Sequence, residues 1–310
     1  MNFIGLLSKM LMLCLFLCVG ILCSRLKIID EQGNRAINKL VLYICAPALM
    51  IYSVLDSKLD YSVGDVLLLL LYAFIFNLLA LLLGWIFARV FCRRKEQRGS
   101  FQLVASFGNV AFMGYPVVGA VYGSGAIFLA SVCTMPFNLF LYSIGSILPS
   151  GQRGSGIPWK KVFINPALIS TLLAMVIFFA DIHLPDLATD TIGYLANMVV
   201  PLSMIVIGSS LGMMDAKSVL LRWEYYAVSL VKLIIFPIVL FFLFRLFIHD
   251  EMILGLLLIL ALMPSAAMTS VLCAEYGGDR DFANGSIFIS TVLSLATVPL
   301  VLYLLLLRQI

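Results

Sequence analysis

The chain has 310 residues, of which 63% are hydrophobic and 12% charged, with a mean hydropathy of +1.10 and a net charge of +4. A soluble domain of this size needs more polar residues to cover its surface, and here the apolar residues come in long runs. The composition therefore predicts a membrane protein. The basic residues lie in short connections between those runs, which indicates membrane orientation and argues against nucleic-acid binding.

Ten apolar runs are long enough to cross a membrane, since a spanning helix needs roughly 20 apolar residues. The sequence thus predicts an all-α polytopic membrane protein. The spans cover approximately 3–23, 37–55, 64–91, 101–121, 124–147, 163–181, 189–212, 224–248, 252–274 and 284–307. The run over 3–23 lacks a basic leading region and a small-residue cleavage site, so we interpret it as the first span and not as a signal peptide.

The longest hydrophilic connection, Pro149 to Lys161, divides the spans into five plus five. We therefore expect a five-helix repeat over 1–148, a cytoplasmic linker over 149–162 and a second five-helix repeat over 163–310. An odd number of spans places related halves in opposite orientations. Short matches support this relation: Pro47 and Pro201 are each followed three residues later by Met-Ile, and "GSGAIFLAS" in span 5 resembles "NGSIFIST" in span 10. Together they fit an inverted repeat of the transporter kind.

Lysine and arginine are distributed unevenly over the connections. If both termini lie outside, the inner connections hold 15 of the 20 basic residues and the outer side holds 4. Because positive residues are retained on the inner side, this split predicts that both termini lie on the outer side. The membrane is expected to be the cell membrane, which is the inner or plasma membrane.

Two spans contain residues that interrupt helices. Span 4 has Gly108, Asn109, Gly114 and Pro116, and span 9 has Pro264 within "MPSAAMTSVL". Proline inside a helix costs about 3 kcal/mol, and broken backbone at membrane depth is tolerated only where protein or a water-filled cavity satisfies it. Both spans are the fourth of their half, and matched interruptions are typical of a transporter's substrate site. For any single glycine or proline close helix packing is the favoured explanation, whereas the matched pair favours broken helices.

Polar residues inside the other spans supply further candidates. Asn138 in span 5 follows the first break along the chain, whereas Asn77 in span 3 could bind a neighbouring helix. Thr269 and Ser270 lie beside the second break, where packing is the simpler role. Lys232 is the lysine well inside a span. It could extend to the inner surface, which is the favoured reading, or act as a counter-charge for an anion or a proton-coupling group.

Several segments together resemble one known family. They are "GNVAFMGYP" in span 4, "LMPSAAMTSVLCAEYGGD" over span 9 and its following loop, "FINPALIS" at the start of span 6 and "YICAPALMIYSVL" in span 2. They resemble the auxin efflux carrier family, which includes bacterial members and plant PIN carriers within the bile-acid and auxin transporter superfamily. The resemblance covers essentially the whole chain.

The resemblance implies ten helices in two inverted repeats, with broken helices 4 and 9 crossing at the bilayer midplane. It also implies efflux or exchange of small organic anions, mainly carboxylates, by an elevator-type movement within a homodimer. The family asparagine that holds the substrate carboxylate matches Asn109. The chain departs from the plant carriers at Gly108, where they have proline, at Thr269, where they have a second proline, and in its short central loop. The break in span 9 is therefore expected to be the weaker, and the cargo an anion other than auxin.

The sequence thus predicts a secondary transporter of a small organic anion, a carboxylate, that works without cofactor or metal. A receptor or sensor, or a channel, on the same fold is the alternative. The sequence does not favour an intramembrane enzyme, because the catalytic groups are missing: no aspartate lies deep in a span and no HExxH motif is present. The expected substrate-binding residues are Asn109, Gly108, Gly114, Pro116, Asn138, Pro264, Thr269 and Ser270, with Lys232 and Asn77 as candidate coupling or counter-charge groups.

Overall fold

The computed structural model describes residues 3–55, 61–92, 94–149, 164, 166–214, 220 and 222–307. Nearly all of these residues are helical. The β pairing found among them is a single isolated antiparallel bridge between Gly108 and Ser265.

The α-helices of this part of the chain are numbered here in chain order. They are α1 Phe3–Arg25, α2 Glu31–Leu40, α3 Ala46–Leu55, α4 Val63–Phe91, α5 Arg98–Ser106, α6 Tyr115–Tyr122, α7 Gly125–Tyr142, α8 Ile144–Ile147, α9 Pro166–Phe179, α10 Asp186–Asn197, α11 Val199–Met213, α12 Trp223–Leu230, α13 Phe236–Arg245, α14 Glu251–Leu262, α15 Met268–Tyr276 and α16 Arg280–Leu302.

Six helical stretches among the described residues are long and apolar enough to cross a membrane. They are Glu31–Leu55, Val63–Phe91, Gly125–Ile147, Asp186–Met213, Trp223–Arg245 and Arg280–Leu306. Shorter apolar helices cover Leu11–Arg25, Val110–Tyr122, Pro166–Phe179 and Glu251–Leu262. The prediction of an all-helical, polytopic membrane protein is therefore confirmed. The arrangement of ten spans as two inverted repeats stays a prediction.

Two of the long stretches, and the shorter helix Val110–Tyr122, contain a short π-helical segment that ends two residues before a proline. The segments are Val41–Cys45 before Pro47, Val110–Gly114 before Pro116 and Val231–Ile235 before Pro237. Proline cannot donate to the carbonyl four residues earlier, and its ring clashes with that carbonyl. In each case this carbonyl belongs to the middle residue of the π segment. The wider π turn thus accommodates the proline without ending the helix.

The chain packs as two compact units. Unit 1 comprises 1–69, 111–135 and 163–214, and unit 2 comprises 70–110, 136–162 and 215–310. Each unit draws segments from both predicted repeats, so this division by packing is different from the predicted division by repeat. The predicted linker over 149–162, apart from Pro149, lies outside the described residues.

Within unit 1, α1 and α11 pack closely because glycines remove side chains from their contact. A Cβ on Gly20 would overlap the backbone of Ile205, and a Cβ on Gly208 would overlap the carbonyl oxygen of Leu17. Gly208 and Gly212 are four residues apart, so they share one face of α11. This Gly-x3-Gly spacing lets helix backbones approach closely in membranes.

Within unit 2, side chains hold α5 against its neighbours by bonding to backbone groups. The Ser106 hydroxyl donates to the carbonyl of Ala80 at 3.0 Å. At the other end of α5, the Ser100 hydroxyl accepts from the N–H of Asp279 at 2.9 Å. Asp279 in turn caps α16 by accepting from the N–H of Phe282 at 2.9 Å. These contacts fix the helix that leads into the first break.

We predict that Gly208→Ala destabilises the protein by about 1–3 kcal/mol, the usual cost of overpacking, since the added methyl group meets backbone of α1. Thermal unfolding of the purified protein in detergent measures this loss. Gly64→Ala is the matched control, because a Cβ there meets only the Ser62 hydroxyl at 3.5 Å. Equal unfolding temperatures for the two variants would contradict the close packing of α1 on α11.

Candidate functional site

The first break follows α5 and lies within unit 2. The helix ends at Ser106, and Phe107 takes an extended conformation with φ −105° and ψ 119°. Gly108 and Asn109 continue outside helical structure, and the chain turns helical again from Val110. The interruption therefore begins just before the Gly-Asn pair that the sequence singles out, and the predicted break in span 4 is present.

The second break follows α14, also in unit 2. The helix ends at Leu262, Met263 is extended with φ −65° and ψ 136°, and α15 starts at Met268. Pro264 explains where the helix stops, because proline disfavours helical geometry at the residue before it. The expectation that this break is the weaker one is wrong, since the interruption runs over 263–267. Thr269 takes no part in it, because that residue is already inside α15.

The two breaks pair with each other through their backbones. The N–H of Asn109 donates to the carbonyl of Pro264 at 2.7 Å, and the N–H of Ala266 donates to the carbonyl of Phe107 at 3.0 Å. In lipid, backbone groups left without partners cost several kcal/mol each. Each break therefore supplies the hydrogen-bond partners that the other one needs, and both spans can be interrupted at the same place.

The bonds place Gly108 opposite Ser265 as a non-hydrogen-bonded antiparallel pair, the arrangement in which facing side chains come closest. Two further backbone groups of this pair are also bonded. Gly108 accepts at its carbonyl from the N–H of Val110 at 2.9 Å, and the N–H of Ser265 donates to the Ser290 hydroxyl at 3.2 Å. We call residues 107–110 and 263–267 the crossing.

Asn109 is placed at the crossing with its side chain uncommitted. The residue is 7% exposed, and its side-chain amide forms no hydrogen bond within the described part of the chain; its backbone N–H makes the bond to Pro264. A buried polar group normally has a partner. The two N–H donors of this amide are thus available to an acceptor that enters the crossing.

Lys232 also lies beside the crossing, in the π segment between α12 and α13. It is 1% exposed, so the interpretation that its side chain extends to the inner surface is wrong. A Cβ built on Gly108 would lie 3.2 Å from Lys232 Nζ and 3.3 Å from Met263. The Phe236 ring lies beside the ammonium, with its centroid 4.8 Å from Nζ. Glycine at position 108, where the plant carriers have proline, therefore leaves room for a lysine ammonium.

The hydroxyls near the second break are mostly committed to local bonds. Thr269 donates to the carbonyl of Ala266 at 2.6 Å, and Ser270 donates to Asn284 Oδ1 at 2.6 Å. Both side chains are buried, and these bonds favour the packing role for them. Ser265 differs, because its hydroxyl is buried and has no hydrogen-bond partner in the part of the chain that the structure describes.

The other sequence candidates lie apart from the crossing contacts. Asn138, in α7, is 9% exposed and its amide forms no hydrogen bond within the described residues; Phe137 beside it packs against Phe107 with ring centroids 5.5 Å apart. Asn77 donates to the carbonyl of Ala73 at 2.7 Å within its own helix, which favours a local role. Gly114 and Pro116 belong to unit 1.

Sequence reasoning missed Ser265 and Ser290, which complete the pairing of the breaks. Ser265 stands inside the quoted "MPSAAMTS" run, directly after Pro264, and this position was the available signal. Ser290 had no local signal, because its role depends on α16 packing against the second break.

The crossing therefore offers hydrogen-bond donors in a setting largely screened from solvent. Within the described residues, no three His, Cys, Asp or Glu side chains come together as metal ligands. Elsewhere in unit 2 an apolar crevice too narrow for a water molecule is lined by residues that include Phe76, Leu240 and Leu257. That crevice has no polar side chain with which to bind an anion, so the crossing is the better candidate.

Known proteins resemble this chain over nearly its full length. An "Uncharacterized transporter" of Methanothermobacter thermautotrophicus is 28% identical over 306 residues, which is 97% of this chain and 98% of the relative. One of Methanocaldococcus jannaschii is 26% identical over 94% of this chain and 96% of its own. A "Putative malonate transporter" of Rhizobium meliloti is 22% identical over 92% of this chain and 91% of its own.

The family model described as "Membrane transport protein" matches residues 6–302. The family and these relatives are membrane transporters and not enzymes. The resemblance to auxin efflux carriers, drawn from the segments in spans 2, 4, 6 and 9, is thereby confirmed. The chain belongs to the membrane transport protein family, the family of the auxin efflux carriers.

Proposed function

We propose that the protein is a secondary transporter that carries a small carboxylate across the membrane and binds it at the crossing. The observation that carries the proposal is the Asn109 side chain, which is 7% exposed and forms no hydrogen bond within the described residues, at the point where two interrupted helices pair. A neutral amide can donate two hydrogen bonds to a carboxylate without the desolvation cost of an additional buried charge.

Helix ends at the crossing support binding of an anion. The chain resumes helical structure after Asn109, and α15 starts directly after Ala267. The N-terminal end of a helix carries partial positive charge, so it favours a negatively charged group nearby. Broken helices with this arrangement are typical of substrate sites in secondary transporters.

The mechanism we propose is elevator-type alternating access. Unit 2 contains both breaks and packs internally through α5, α12, α14 and α16. In this mechanism unit 2 carries the substrate while unit 1, stiffened by the α1–α11 contact, is the static element. The inverted repeats, the homodimer and the outer location of both termini belong to the same proposal.

The name of the Rhizobium relative suggests malonate as the first probe. The protein, purified and reconstituted into liposomes, should show saturable counterflow of malonate or another small carboxylate. Flux that does not saturate would indicate a channel. Binding of carboxylates without flux would indicate a receptor or sensor.

We predict that Asn109→Ala lowers carboxylate uptake by about tenfold to a hundredfold, because a hydrogen bond to a charged group contributes about 1.5–3 kcal/mol. Uptake into liposomes containing equal amounts of folded protein measures this loss. Asn197→Ala, the same substitution at an exposed asparagine of unit 1, is the control and should transport normally. Normal uptake by Asn109→Ala would remove this residue from the site.

Asn109→Asp separates substrate binding from helix capping. Aspartate caps a helix N-terminus about as well as asparagine, but its carboxylate has no N–H to donate and repels an anion. We therefore expect Asn109→Asp to elute as folded protein on size-exclusion chromatography and to lose carboxylate uptake. A folded Asn109→Asp protein with wild-type uptake would show that Asn109 is only a cap.

A further inference from the structure

Lys232 is the only charged side chain that is buried in the part of the chain the structure describes. The π segment that carries it ends two residues before Pro237, so the proline contributes to the local backbone geometry. Single π turns inside α-helices are found frequently at functional sites. The position of Lys232 in the helix is therefore specified by the sequence around it.

No acidic group balances this ammonium. Lys232 forms no ion pair or hydrogen bond among the described residues, and its Nζ lies over the face of the Phe236 ring. None of the described aspartates and glutamates is buried; those of unit 2 lie at or near helix ends, as Glu224 and Asp279 do. The protein thus keeps a lysine amine in its interior, and no counter-ion accompanies it within the described residues.

The Lys232 ammonium lies next to the residues of the crossing. The separation of 3.2 Å between Nζ and a Cβ built on Gly108 places it beside the residue that precedes Asn109. The buried Ser265 hydroxyl, which has no partner, belongs to the residue that faces Gly108 in the bridge. The Lys232 amine and the residue that carries the Ser265 hydroxyl therefore both border Gly108.

We propose that Lys232 is the counter-charge of the transported anion and the residue that makes the site select anions over neutral analogues. This inference rests on the proposed function. Burial of an unpaired charge is unfavourable unless a partner compensates it, and a carboxylate bound by the Asn109 amide would supply that partner. The substrate class that fits is a small organic acid: the ammonium balances one carboxylate, and the neutral donors of the crossing are available to a second one such as that of malonate.

Replacement of Lys232 should affect stability and transport differently. Replacement of a lysine that stabilises the fold should lower the protein's stability, whereas replacement of an unpaired buried lysine should not. Lys232→Met retains most of the side-chain volume and removes the buried charge, so without substrate this variant should unfold at the same temperature as the wild type or at a higher one. It should at the same time lose transport.

The test compares Lys232→Met and Lys232→Gln with the wild-type protein in liposomes, with malonate and its neutral diamide malonamide as probes. Loss of one partner of a buried charge pair typically costs about 2 kcal/mol or more, so malonate uptake should fall by about 30-fold or more in both variants. The wild-type preference for malonate over malonamide should shrink equally. Lys95→Met, an exposed lysine of the same unit, should leave uptake and preference unchanged.

Two results would overturn this inference while leaving the proposed function intact. One is wild-type malonate uptake by Lys232→Met when Asn109→Ala is inactive. The other is a lower unfolding temperature for both Lys232 variants without substrate, since the ammonium would then serve the fold. If the wild-type protein exchanges neither malonate nor any other small carboxylate, it is the proposed function that fails.

Discussion

The main-chain pairing of the two helix breaks is the interaction on which the rest of the structure depends. A membrane interior offers no water to unpaired backbone groups, so a helix can be interrupted there only if another part of the protein provides partners. The bonds from Asn109 to Pro264 and from Ala266 to Phe107 provide them reciprocally. Because the pairing is reciprocal, neither break is expected to survive without the other.

The same pairing determines which residues can act. It places Gly108 opposite Ser265, holds Asn109 by its backbone while its amide stays uncommitted, and brings the crossing beside the Lys232 ammonium. A larger residue at position 108 would contact that ammonium and the backbone of Met263. The glycine that departs from the plant carriers is thus explained by a lysine located more than a hundred residues later in the chain.

Much of the fold could be predicted from local sequence. Apolar runs identified the helices, and Gly108, Asn109 and Pro264 identified the breaks, because proline and glycine act on the backbone where they stand. The register of the bridge and the role of Ser290 could not be predicted, since they depend on contacts between distant segments. Lys232 was misjudged for the same reason: an isolated lysine inside a span can extend its side chain to the surface, and only packing shows that this one does not.

The most direct measurement is a cryo-EM map of the full-length protein in lipid nanodiscs with a saturating concentration of a carboxylate that it exchanges. The account predicts additional density within hydrogen-bond distance of the Asn109 amide, at the crossing of residues 107–110 and 263–267. Density for the carboxylate elsewhere in the protein, with the crossing unoccupied, would contradict it.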